Sequence, residues 1–114
     1  MKYIVYMTVN TVNNKIYVGV HKTENPDVFD GYYGCGVSLQ KHYFMDYPRT
    51  YFQKALKHYG FKSFKRVVIK VYDTAEEAYH LESIIVDKDF LKRDDTYNLA
   101  LGGGSGADYL NPVY

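Results

Sequence analysis

The sequence predicts an α/β domain of two layers. A small, three-stranded, mainly antiparallel sheet carries flanking helices in the order β-β-α-α-β-α. Three observations predict it. Two stretches rich in β-formers, YIVYMTV (3–9) and KIYVGVH (15–21), flank the turn cluster NTVNN. A third, KRVVIKVY, occupies 65–72. Around it lie two segments of helical periodicity, 49–59 and 75–87.

The first two stretches form a hairpin. An even-length loop sets Tyr6 opposite Gly19 and Thr8 opposite Tyr17. Side chains alternate between faces with a period of two. Tyr6, Thr8, Tyr17 and Gly19 therefore share one face. Val5, Met7, Val9, Ile16, Val18 and Val20 make the other, an apolar one. The two phenols lie on a diagonal, close enough for both to touch one small ligand.

Residues 23–36 (TENPDVFDGYYGCG) read as a loop, with Pro26 and three glycines. Residues 37–46 read as a short helix that stops before Pro48. In 49–59, Phe52, Ala55, Leu56 and Tyr59 form one apolar stripe, and Gly60 suits the position that ends a helix. Thr74, with Glu77 three residues on, has the pattern of a capping box that opens 75–87. Ala78, Leu81 and Ile85 form that helix's apolar stripe. Residues 97–101 are a short extended or turn segment. The sequence GGGSG that follows reads as flexible, which sets a domain over 1–101 and a glycine-rich tail or linker start over 102–114.

The chain has 114 residues, enough for one domain with a modest core. Hydrophobic residues make up 46%, a globular rather than disordered composition. No apolar run is long enough to span a bilayer, and the first ten residues are not those of a signal peptide. The single cysteine, Cys35, excludes an internal disulfide and fits an intracellular setting. The net charge of +1 conceals an asymmetry. Residues 38–70 hold eight basic side chains against Asp46 alone, whereas 73–95 hold eight acidic against three basic. The basic middle is interleaved with tyrosines, a composition that suits a phosphate-facing surface. Solvated lysine-rich helix faces are the alternative.

Glu82 lies beyond the first helical turn and borders the apolar stripe. It is either an exposed flank residue or a partly buried carboxylate able to hold a hard cation. His21 and Lys22 end the second strand beside Tyr17, as surface polar residues or as phosphate contacts. Cys35 with His42 is a remote nucleophile pair, because nothing fixes their geometry. GGGSG lacks the lysine and helix of a phosphate loop. The histidines and Cys35 show no zinc-ligand spacing.

Taken together, Ile4-Val5-Tyr6, Lys15-Ile16-Tyr17-Val18-Gly19, Glu82 in LESIIV and Asn98 in TYN resemble the GIY-YIG nuclease motifs. The segments HKT, DGYYGCG, KHYGFKSF and DTYNLALGG are similar to those of phage-encoded homing endonucleases of that family. The resemblance covers nearly the whole chain. It implies a divalent-metal-dependent DNA endonuclease that holds one Mg²⁺ or Mn²⁺ ion through Glu82. Tyr6 or Tyr17 would orient or deprotonate the attacking water, with Asn98 near the domain's end. A phenol is a poor base at neutral pH unless nearby positive charge lowers its pKa.

The chain departs from the family at two points. The leading glycine of the first half-motif is absent, and no arginine occurs before Arg49. His21, Lys22, Lys41 and Arg49 are the candidates for the missing cation. His21 ranks first for its place beside Tyr17, and Arg49 second. Gly19 would leave room for a phosphate, with Lys22 and Lys41 as further substrate contacts. The departures also leave open a nucleic-acid-binding module that keeps the fold but not the catalysis.

Overall fold

The computed structural model describes residues 1–41 and 46–103. The hairpin forms with the expected register. Strands β1 (Lys2–Asn10) and β2 (Ile16–Thr23) run antiparallel, with Tyr6 opposite Gly19 and Thr8 opposite Tyr17. Asn14, with φ of 62°, completes the turn. Strand β5 (Phe64–Tyr72) pairs antiparallel with the other side of β1, giving the order β2-β1-β5.

The segment between β2 and the first helix differs from expectation. Tyr32–Gly34 is strand β3 and Val37–Ser38 is strand β4, a small second sheet. They turn on Gly34, Cys35 and Gly36, all with positive φ (137°, 51° and 77°). Two of the three are glycines, which adopt this backbone without steric cost. The expected helix over 37–46 is therefore replaced by a strand at its start. Its residues 42–45, with His42, lie outside the described residues.

Helix α1 (Tyr51–Tyr59) begins with a capping box. Thr50 Oγ1 accepts from Gln53 N at 3.0 Å, while Gln53 Oε1 accepts from Thr50 N at 3.3 Å. Gly60 ends it with φ of 82°. A single 3₁₀ turn (Phe61–Ser63) leads into β5. Helix α2 (Ala75–Ile85) opens on Thr74, whose hydroxyl accepts from Glu77 N, and a short α3 (Lys88–Leu91) follows.

The two faces of the sheet bury two cores. Val5 and Val18, with Met7, Ile16 and Val20 beside them, pack on Ala78, Val86 and Phe90 of the α2–α3 side. On the opposite face, Phe52, Ala55 and Leu56 of α1 join Tyr33, Val37, Phe64 and Tyr97, with Tyr17 against them. The phenol-bearing face is thus covered rather than open. Tyr6 is 1% exposed and Thr8 is fully buried. The β3–β4 ribbon closes it, since the Thr8 hydroxyl donates to Tyr33 O at 2.6 Å. Among the described residues no helix is long and apolar enough to cross a membrane.

Candidate active site

The hairpin sets two phenols side by side. The rings of Tyr6 and Tyr17 lie 6.4 Å apart, and Tyr17 stacks on Phe52 at 4.6 Å. Tyr6 also meets Tyr32 edge-on at 6.1 Å. Burial raises the pKa of both hairpin phenols well above the ordinary value. Neighbouring groups push the same way: Tyr17, Tyr32 and Cys35 for Tyr6, Cys35 and Tyr32 for Tyr17, and for each the Glu82 charge as the weakest. Tyr6 is closed off from solvent, whereas Tyr17 is only partly buried. Of the two hairpin phenols, Tyr17 is the one whose residue keeps some surface open to solvent.

Gly19 serves this arrangement differently from expectation. A Cβ there would stand 2.6 Å from the Tyr6 hydroxyl oxygen and 2.9 Å from Tyr6 Cζ. The space left by the missing side chain is filled by the Tyr6 phenol.

Glu82 sits on the flank of α2, partly buried as its position beside the stripe suggested. Burial raises its carboxyl pKa, while a hydrogen bond from Gly103 N to Oε1 (2.9 Å) acts against that. The first glycines after residue 101 are therefore packed on α2. Gly102 N donates to Val86 O at 2.9 Å, and a side chain at 102 would run into the Glu82 backbone. Glu82 Oε2 has no hydrogen-bond partner among the described residues. No group of three or more His, Cys, Asp or Glu side chains gathers among them either. One carboxylate with a free oxygen fits Mg²⁺, which commonly takes one or two carboxylates and completes its shell with water and phosphate oxygens.

Asn98 does not point at the phenols. Its side-chain Oδ1 accepts from Val18 N at 2.9 Å and its Nδ2 donates to Val18 O at 2.8 Å. It pins β2 directly behind Tyr17 and acts by position. His21 follows Tyr17 and Gly19 on the same face of β2 and stacks on Tyr32 at 4.1 Å. Lys22 is exposed, with its ammonium 6.0 Å from the Tyr3 ring centre. Lys41 and Arg49 are exposed outside the regular elements.

Arg66 and Asp30 complete the surroundings and were not singled out from sequence. The Arg66 side chain is only 2% exposed and ion-pairs with Asp30 at 3.0 Å. Alternation on β5 carries the signal for it, because Phe64, Arg66 and Val68 share one face. Farther out, a cleft of about 220 Å³ between the hairpin turn and α1 gathers Lys15, Lys54 and His58 with Tyr51, Tyr59 and Tyr97.

The chain is similar to phage endonucleases. It is 40% identical over 111 residues to the protein named "Putative endonuclease segB" of Enterobacteria phage T4, covering 97% of this chain and 43% of that one. It is 37% identical over 103 residues to "Putative endonuclease segD" of the same phage, covering 90% and 40%. With "Endonuclease segA" of that phage it shares 36% identity over 101 residues, covering 89% and 39%. The chain thus spans less than half the length of these relatives. No family model matches it, and no solved structure does.

Proposed function

We propose that this chain is a divalent-metal-dependent DNA endonuclease domain of the GIY-YIG, homing type, acting inside a phage-infected cell. One observation carries the reading. A half-buried carboxylate, Glu82 on α2, keeps one oxygen without a hydrogen-bond partner among the described residues, in a fold whose hairpin register sets two phenols beside a glycine. The similarity to phage proteins named endonucleases supports the choice of DNA as substrate.

In this reading Glu82 holds one Mg²⁺ or Mn²⁺ ion, which when bound supplies positive charge against the phosphodiester anion. The Tyr17 phenol reaches the attacking water and orients it as a hydrogen-bond partner. Tyr6 braces Tyr17 from the buried side, and Gly19 admits the Tyr6 phenol. Asn98 fixes the strand behind Tyr17. His21 contacts the reacting phosphate, while Lys22, Lys41 and Arg49 meet flanking phosphates. Preorganised donors of this kind stabilise charge as it develops on phosphorus.

The test is relaxation of supercoiled plasmid with Mg²⁺, Mn²⁺ or EDTA. Metal-dependent nicking that disappears in Glu82→Gln and falls steeply in Tyr17→Phe is expected. Salt-sensitive DNA binding without cutting at high protein concentration would instead identify a binding module. Undiminished cutting in both variants would overturn the assignment of roles.

A further inference from the structure

The β2–β3 loop places one carboxylate, Asp30, at the centre of a network that reaches the site from the side. His21 Nε2 lies 2.6 Å from Asp30 Oδ2. Arg66 Nη1 donates to Asp30 Oδ1 at 3.0 Å and also to Tyr32 O at 3.0 Å. Tyr32 N donates to Asp30 Oδ1 at 3.1 Å. The Arg66 side chain is 2% exposed, against 20% for His21 and 34% for Asp30. Its guanidinium lies 4.8 Å from the Phe29 ring centre and 5.9 Å from that of Tyr6.

A buried guanidinium is costly to place and gives little net stability through its ion pair. What this one achieves is geometric. It grips Asp30 and the β3 backbone together, so the carboxylate has one position. Asp30 then fixes His21 by one ring nitrogen, and the face-to-face stack on Tyr32, tilted by 12°, fixes the ring plane. The hydrogen bond to a carboxylate puts a proton on Nε2. Nδ1 is left as the ring nitrogen with no hydrogen-bond partner among the described residues. His21 shares its face of β2 with Tyr17 and Gly19, so this nitrogen belongs to the rim of the candidate site.

We propose that Asp30 and Arg66 are positioning residues that hold His21 beside the substrate phosphate, where the protonated ring donates to a phosphate oxygen through Nδ1 while Nε2 donates to Asp30. The assignment rests on the nuclease reading above and adds two residues to it. It also gives the basic role to a histidine held by an aspartate, with an arginine from β5 acting behind it.

The experiment has two arms. In the first, plasmid cleavage is measured over a range of DNA concentrations for wild type, His21→Ala, Asp30→Asn, Asp30→Glu, Arg66→Lys and the double variant His21→Ala/Asp30→Asn. Asp30→Asn is expected to lose about 10- to 100-fold in kcat with little change in KM, as when an orienting partner is removed. The double variant is expected to be no slower than His21→Ala, because Asp30 acts through His21. Asp30→Glu, which keeps the charge, is expected to recover part of the loss. In the second arm, ¹⁵N NMR of the His21 ring reads the tautomer. With the ring neutral, wild type should hold its one proton on Nε2, and Asp30→Asn should give a mixture. Multiplicative losses in the double variant, or an unchanged tautomer in Asp30→Asn, would overturn the proposal. If the wild type cuts no DNA, the nuclease reading fails, and the tautomer arm still decides the positioning. Arg66→Lys is compared only after its thermal midpoint shows that it folds. Asp30→Asn, of equal shape, carries the test if it does not.

Discussion

Gly19→Ala probes the packing that holds the two phenols. The new methyl would stand 2.6 Å from Tyr6 Oη, 2.9 Å from Tyr6 Cζ and 3.2 Å from Tyr17 Cε2. Ordinary contact begins near 3.4 Å, so the Tyr6 phenol must retreat by roughly 0.8 Å. It has little room, being 1% exposed and bounded by the Tyr17 and Tyr32 rings. Overpacking of this kind costs about 1–3 kcal/mol. Alanine returns about 0.4–1 kcal/mol by restricting the unfolded chain. The expected net loss is about 1–2 kcal/mol, a fall of roughly 5–15 °C in Tm for a domain of this size. Urea unfolding followed by far-UV circular dichroism measures it. Tyr6→Phe removes the oxygen at 2.6 Å and leaves the carbon at 2.9 Å, so the alanine should still cost stability in that background but less than in wild type. A Gly19→Ala protein as stable as wild type, or one penalised equally in both backgrounds, would refute the argument.

Four other outcomes are expected. Asn98→Ala leaves the buried N–H and C=O of Val18 without partners and should cost about 2–4 kcal/mol in urea unfolding. Glu82→Gln should abolish cutting yet unfold no earlier than wild type at pH 7. Burial raises the Glu82 carboxyl pKa, so folding favours the neutral form and loses stability as pH rises through that titration. Mn²⁺ should raise the thermal midpoint of wild type but not of this variant. For Asp30 the sign is opposite. Burial raises its pKa, but hydrogen bonds from His21 and the Tyr32 backbone, with the charges of His21 and Arg66, outweigh it and hold the carboxyl down to about 2. Its contribution is present above the ordinary value of 3.8 and is lost as pH falls towards 2. Asp30→Asn should therefore flatten the acid limb of a stability–pH curve by about 1 kcal/mol, after allowance for solvent screening. Finally, Lys15→Ala with Lys54→Ala should reduce the slope of log K against log salt by about 2 in DNA-binding titrations, close to one per phosphate contact.

Much of the scaffold was legible in the sequence because it follows from local rules. Two alternating strands around an even turn fix the opposition of Tyr6 and Gly19, and helix periodicity brings Glu82 to the edge of the apolar stripe. The β3–β4 ribbon was not legible, because one of its turning residues is Cys35, a side chain that gives no signal for a left-handed backbone. The covered state of the phenol face followed from that ribbon and was missed with it. Arg66 was hidden in a lysine-rich stretch that reads as solvated charge. Only its alternation with Phe64 and Val68 marked it as inward-facing. Asn98 was noted as a site residue, but its bonding to Val18 joins positions 80 apart in the chain, which no local rule brings together.

The hold of Asn98 on Val18 also bears on how this chain avoids its own kind. β2 lies at one margin of the sheet, where bare backbone groups invite a strand from another molecule. Along that margin Ile16 is met by backbone, its N–H donating to Asp95 O and its carbonyl accepting from Tyr97 N. Two residues on, one amide side chain takes both Val18 positions, doing for a single step what a neighbouring strand would do. The margin beside Tyr17 is thereby closed to templating. Asn98→Ala would reopen it, and the same change that loosens the catalytic strand would give the protein a place to aggregate.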